Sequence, residues 1–209
     1  MEKRSTAPVF DARTIAEYAI FIAIIFVMRI TGLGRIPIGP LYMTLTMVPI
    51  AIGAMLLGPL GGGILGMIFG FTSLYDAVTM VSPMTGFFFH QVSPLHTVIL
   101  CVVLRALVGA LTGWLFLLCK RLDKRRIWCY FAGGLLAPLL NTILFMGYIV
   151  LVFYQSEYVQ NLVAQKNIVN PLWFIIVLVG VQGLLEWLAG LVIGGGVAKA
   201  VAHALKRDR

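Results

Sequence analysis

The chain reads as an all-α, polytopic membrane protein: six transmembrane helices in one bundle, with both termini cytoplasmic. Three observations carry that reading. Hydrophobic types make up 60% of the 209 residues and charged types only 11%, about half the charged share of a soluble domain. The charges are clustered, and between Ile15 and Lys120 only Glu17, Arg29, Arg35, Asp76 and Arg105 occur. Six apolar stretches approach or exceed the roughly 20 residues a helix needs to cross a bilayer.

Taken in order, the spans fall at about 15–31, 41–57, 60–79, 95–118, 128–154 and 171–202. Glu2, Lys3, Arg4, Asp11 and Arg13 precede the first run, and no small-residue cleavage site follows it, so that run is expected to stay as a span. The second is short and separated from the third only by Gly58-Pro59, a turn dipeptide. The last two exceed a bilayer's thickness and must tilt or project. Period-2 barrel patterning is absent, and helices satisfy their own backbone in lipid. The whole chain, 1–209, forms one membrane domain, with 1–14 a cytoplasmic N-terminal segment and 203–209 a basic cytoplasmic tail.

Orientation follows from the basic residues. With both termini inside, the inner side receives Lys3, Arg4, Arg13, Lys120, Arg121, Lys124, Arg125, Arg126, Lys199, Lys206, Arg207 and Arg209. The outer side receives Arg29, Arg35 and Lys166, and Arg105 lies within a span. Topology thus accounts for the net charge of +8, and nucleic-acid binding is not needed to explain it. The outer loops are the long, punctuated, aromatic ones: Thr31–Pro40 (TGLGRIPIGP), Val81–Pro94 (VSPMTGFFFHQVSP) and Gln155–Asn170. That asymmetry points to recognition of something outside.

Small residues mark the seams. Ala12, Ala16, Ala19 and Ala23 fall within about a 60° stripe of the first helix. Such a stripe lets another helix approach closely, either a partner's or one of this chain's own. Gly62, Gly66 and Gly70 form a ridge on the third span, Gly109 and Gly113 mark the fourth, and Gly190 and Gly194 the sixth. Cys101, Cys119 and Cys129 fit neither a disulfide framework nor metal-ligand spacing and read as packing residues.

Polar residues inside a membrane are costly and count as functional candidates. Arg105 and Glu186 lie at depths that differ by about five residues, roughly 7 Å, so they can pair with each other. Alternatively Arg105 meets an anionic ligand. Asn141, Thr142 and Gln182 are neutral, and a neutral amide waits for a ligand at lower cost. Enzyme signatures are absent: there is no Gly-x-Ser-x-Gly, no His-Glu-x-x-His and no phosphate loop. His90, His96 and His203 have no partner spacing. No cofactor or metal is expected, and any ATP hydrolysis belongs to a partner.

The stretch Ile36–Gly70 (IPIGPLYMTLTMVPIAIGAMLLGPLGGGILGMIFG), RALVGALTGWL in the fourth span and the Ala19-x-x-x-Ala23 pair resemble the substrate-binding S components of energy-coupling factor (ECF) vitamin transporters. The resemblance covers essentially the whole chain. It implies a multi-pass protein of a prokaryotic plasma membrane that binds a vitamin at its outer face. It further implies docking, through the helix-one small-residue face, on a transmembrane coupling protein driven by two cytoplasmic ATPase subunits. The family's site lies in the outer halves of spans four to six, capped by the first and third loops. Carried onto this sequence by region, that suggests Arg35, Tyr42, Tyr75, His90, Gln91, Asn141, Asn170 and Gln182. Asn141-Thr142 followed by ILFMG looks most like the pantothenate-type members; riboflavin, folate, a pyridoxine-type vitamin and cobalamin stay open. A stand-alone secondary transporter is the competing reading, although such proteins usually show repeats and this chain shows none.

Overall fold

The computed structural model describes residues 11–34, 36–38, 41–79, 86–123, 127–166, 168 and 170–206. Its elements are helix α1 (Ala12–Ile30), a hairpin of β1 (Ile36–Ile38) and β2 (Leu41–Met43), then α2 (Met47–Thr79) and α3 (Gly86–Val92). After them come α4 (Pro94–Leu122), α5 (Trp128–Phe153), α6 (Glu157–Gln165) and α7 (Pro171–Ala204). Four of these, α2, α4, α5 and α7, are long and apolar enough to cross a membrane. Large apolar side chains such as Leu107, Trp114, Leu151 and Leu172 are exposed on their outer faces, as a lipid solvent requires.

Helix α2 is two helices. Gly58 (φ 78, ψ −170) breaks it, a backbone conformation open to glycine without a Cβ penalty. The halves, 47–57 and 59–79, fold back on each other, with Gly53 against Leu65 and Gly62 against Ala54. The Gly58-Pro59 turn expected from the sequence is this fold-back.

The second span differs from its expected start at 41. Leu41–Met43 is a strand, pairing antiparallel with β1 in the register Ile36↔Met43, Pro37↔Tyr42, Ile38↔Leu41. The helix begins only at Met47. A short apolar run does not by itself separate strand from helix, and pairing with β1 makes this one a strand. The fold is therefore helical with one small hairpin. Two further connections carry helices of their own, α3 and α6.

Packing divides the molecule into two ends. At the end holding Leu122 and Trp128, Ala51, Met55, Phe116, Cys129, Tyr130, Ala198 and Ala202 form one cluster. At the hairpin end, Phe89, Leu100, Met146, Phe153, Phe174 and Leu178 form another. Between them runs the glycine ridge. A Cβ on Gly62 would meet the carbonyl of Gly109, on Gly66 that of Arg105, and on Gly70 that of Cys101. The second half of α2 and helix α4 therefore touch backbone to backbone. Gly190 meets Gly134 in the same way where α7 crosses α5.

Candidate functional site

The close α2–α4 seam fixes one side chain above all. Because Gly66 lies against the Arg105 carbonyl, the Arg105 guanidinium is carried over the ring of Phe69, 4.1 Å from its centroid. Phe145 of α5 stands on another side, 5.4 Å from the guanidinium carbon. Arg105 is only 8% exposed. A guanidinium sandwiched by aromatic faces is held by cation–π attraction, worth about 2 kcal/mol when desolvated.

Asn141 stands one turn before Phe145 on α5, at the start of a widened π-helical turn, Thr142–Met146. Such turns occur often at functional sites. Trp187 of α7 reaches Thr142 at this level, its indole N–H 3.4 Å from Oγ1. One turn apart on α7, Gln182 and Glu186 are both buried. Glu186 accepts a hydrogen bond from the backbone N–H of Thr44, just after β2, and is attracted by Arg105. The Asn141 Oδ1 and Gln182 Oε1 atoms are buried with no hydrogen-bond partner. A buried acceptor left unmade costs about 1–3 kcal/mol, so these two atoms suit a ligand's donors.

Around this cluster the hairpin end is aromatic. Phe88 stacks on Tyr158 at 4.4 Å, and Phe89 on Phe153 at 4.4 Å. His96 Nδ1 and the Tyr148 hydroxyl share a hydrogen bond of 2.7 Å. Among the described residues no group of three or more His, Cys, Asp or Glu could hold a metal ion.

A family model for the substrate-specific component of ECF transporters matches residues 13–194. The chain belongs to that family. It is accordingly a membrane-embedded, substrate-binding transporter subunit, not an enzyme, that works within an ECF complex. No curated protein matches it in sequence. Among solved structures, ThiT from Listeria monocytogenes superposes with a TM-score of 0.61 at 16% identity, over 90% of this chain and 94% of that one. At that identity the likeness speaks for the fold.

Within this substrate-specific component the sequence candidates separate. Asn141 and Gln182 lie with Arg105 and Glu186 as just described. His90 sits on α3 with its Nδ1 buried and unpartnered, whereas Gln91 beside it is exposed. Asn170 caps α7, its side chain accepting from the Trp173 N–H at 2.7 Å. Tyr75 is exposed at the hairpin end of α2, with the Arg29 guanidinium over its ring. Tyr42 occupies the middle of β2, opposite Pro37. Arg35 lies outside the described residues. Ala12, Ala16, Ala19 and Ala23 are all exposed. Other residues of α1, Ile20 and Ile24 among them, line an apolar groove of about 570 Å³ between α1, α2 and α7, together with Val48, Ile52, Val197 and Val201.

Sequence reasoning missed Phe69, Phe145 and Thr44. Two phenylalanines in apolar spans carry no signal of their own, and Thr44 acts through its backbone. The Arg29–Asp76 ion pair was also missed, at 2.5 Å between the last turn of α1 and the end of α2. It had a signal: these are opposite charges in the last turns of two helices that end on the same side.

Proposed function

We propose that this chain captures a small carboxylate-bearing vitamin, pantothenate first among the candidates, from the outer face of a prokaryotic plasma membrane. In this reading the chain crosses the bilayer six times with both termini inside, the halves of α2 counting as two crossings. The hairpin end faces outward. The single observation that supports it best is the set of groups at that end: one guanidinium between two rings, beside two amides whose oxygens lack donors. Pantothenate offers a carboxylate for Arg105, and hydroxyl and amide donors for Asn141 and Gln182. Its branched apolar centre suits the walls of Phe69 and Phe145.

Delivery then requires partners. The exposed alanine stripe and the adjoining apolar groove are the surface for a transmembrane coupling protein, which two cytoplasmic ATPases drive. Small residues permit the backbone approach that membrane helices need in place of a hydrophobic force.

The test is direct binding to detergent-purified protein, followed by isothermal titration calorimetry with pantothenate, riboflavin, folate, pyridoxine and cobalamin in turn. Pantothenate should bind and its carboxylate-reduced alcohol, pantothenol, should not. Saturable binding of another vitamin alone would replace pantothenate. Vitamin accumulation by proteoliposomes of this chain alone, under an ion gradient, would instead make it a secondary transporter.

A further inference from the structure

Inward positions on α5 repeat at a spacing that a regular α-helix does not keep. Ala137 and Ile149 are both buried, and Asn141 between them has its Oδ1 buried. Ala137 and Ile149 lie twelve residues apart, in steps of four. At about 100° per residue, a regular helix would carry Ile149 about 120° away from the face of Ala137. The π-helical turn Thr142–Met146 removes that mismatch. Closing its bonds one residue further along, such a turn lodges one residue more than an α turn. Eleven regular steps then remain, and the difference falls to about 20°. The surplus goes outward, where Ile143 is exposed. Local chemistry favours the turn: Thr142 Oγ1 donates to the Pro138 carbonyl at 3.0 Å, in competition with the helix's own bonding.

The same device recurs beside the other polar members of the cluster. On α4, Thr97 and Gly109 are buried twelve residues apart, with the π-helical turn Ile99–Val103 between them and Arg105 just beyond it. On α7 the pair is Glu186 and Ala198, with the turn Gly190–Gly194 between them. Tight seams and a polar cluster thus share one helix face at different depths, and a surplus residue keeps both in line. A rare turn repeated next to Arg105, Asn141 and Glu186 marks where local preference yields to another demand.

We propose that the surplus residue at Ile143 is a positioning element for the ligand. The widened turn sets the Asn141 amide and the Phe145 ring against Arg105, and it does so through the residue count, not through the Ile143 side chain. It thereby fixes how far apart a ligand's carboxylate and its hydrogen-bond donor must be. This rests on the reading of the Arg105 cluster as the ligand site.

The test deletes Ile143 from the full chain and compares the result with Ile143→Ala, which keeps the count. Deletion closes the turn into a regular helix without moving what lies on either side. Both variants should therefore melt in detergent within about 3 °C of the parent. Ile143→Ala should bind pantothenate within about twofold of the parent, and the deletion about tenfold or more weakly. Deleting Leu135, in the regular part of α5, consumes no surplus. It moves Gly134 off its contact with Gly190, or Ala137 off its buried face, and should melt well below the parent. A ligand-free readout runs beside these. With Trp114, Trp128 and Trp173 replaced by Phe, the emission of Trp187 reports the turn, because its indole N–H lies 3.4 Å from Thr142 Oγ1. That emission should move to shorter wavelength in the Ile143 deletion and stay in place in Ile143→Ala. The proposal is overturned if the Ile143 deletion does not fold, if it binds as tightly as the parent, or if Ile143→Ala loses as much affinity. A Leu135 deletion as stable as the Ile143 deletion overturns it too. Failure of pantothenate to bind the parent strikes the substrate reading instead, and the Trp187 emission then decides: no shift in the Ile143 deletion sinks the positioning role.

Discussion

Arg105 belongs to two regions at once, and they are built on opposite rules. Its backbone lies in the seam between α2 and α4, where Gly62, Gly66, Gly70, Gly109 and Gly113 leave no room for a methyl group. Its side chain lies in the cluster at the hairpin end, where polar atoms stay without partners and aromatic rings make the walls. Lipid tails are as apolar as leucine, so burying leucine does little to choose one helix arrangement over another. Shape makes the choice, and the seam is pure shape. Polar chemistry is then released from structural duty and can be reserved for a ligand. Stability and affinity should therefore respond to different substitutions.

The largest effect expected is on affinity. Arg105→Met removes the guanidinium between Phe69 and Phe145 and should weaken binding of the proposed carboxylate ligand by roughly 30- to several-thousand-fold, the cost of truncating one partner of a buried charge pair. Equilibrium binding by calorimetry measures it. Arg105→Lys should recover only part of the loss, because an ammonium neither forks nor stacks as guanidinium does. Gly66→Val attacks the seam instead. Overpacking against the Arg105 carbonyl should cost on the order of 3 kcal/mol and lower the melting temperature by roughly 6–12 °C. Light scattering during a thermal ramp in detergent reads it directly. An unchanged melting temperature there would dissolve the distinction between the regions.

Asn141→Ala sharpens the comparison. Its loss should weaken binding about five- to 150-fold, with little change in the melting temperature of the ligand-free protein. Unchanged affinity with a clearly lower melting temperature would move Asn141 to the packing side. The smallest effect should come from Asn170→Ala, which removes the α7 cap at a cost of about 1 kcal/mol. Melting should fall by roughly 2–4 °C, with affinity equal to wild type in the same titration.

The apolar runs made most of this architecture legible in the sequence, because lipid imposes one simple demand on a crossing helix. The glycine ridge was legible too, since spacing at four residues puts Gly62, Gly66 and Gly70 on one face. The hairpin was not. Leu41–Met43 is apolar enough to extend a helix, and only pairing with Ile36–Ile38 makes it a strand. Among site residues, the buried amides stood out because polar groups are rare in such runs. Asn170 was a candidate only by region, through the family resemblance, and Asn directly before Pro171 is also a helix-cap signal. Phe69 and Phe145 became visible only when the seam placed a guanidinium between them.

The turn at Gly58 bears on how the chain enters the membrane at all. From Met47 to Tyr75 there is no charged residue, and the turn itself is a single glycine with the following proline. Nothing there could be held in water while one helix waits for the other. The halves already face each other through Gly53, Leu65, Ala54 and Gly62, so they can leave the ribosome and partition into lipid as one pre-paired unit. Arg105 emerges some thirty residues later and meets the glycine ridge and Phe69 of α2 rather than bare hydrocarbon. The buried guanidinium therefore enters against a surface already shaped to receive it, before α5 and α7 follow.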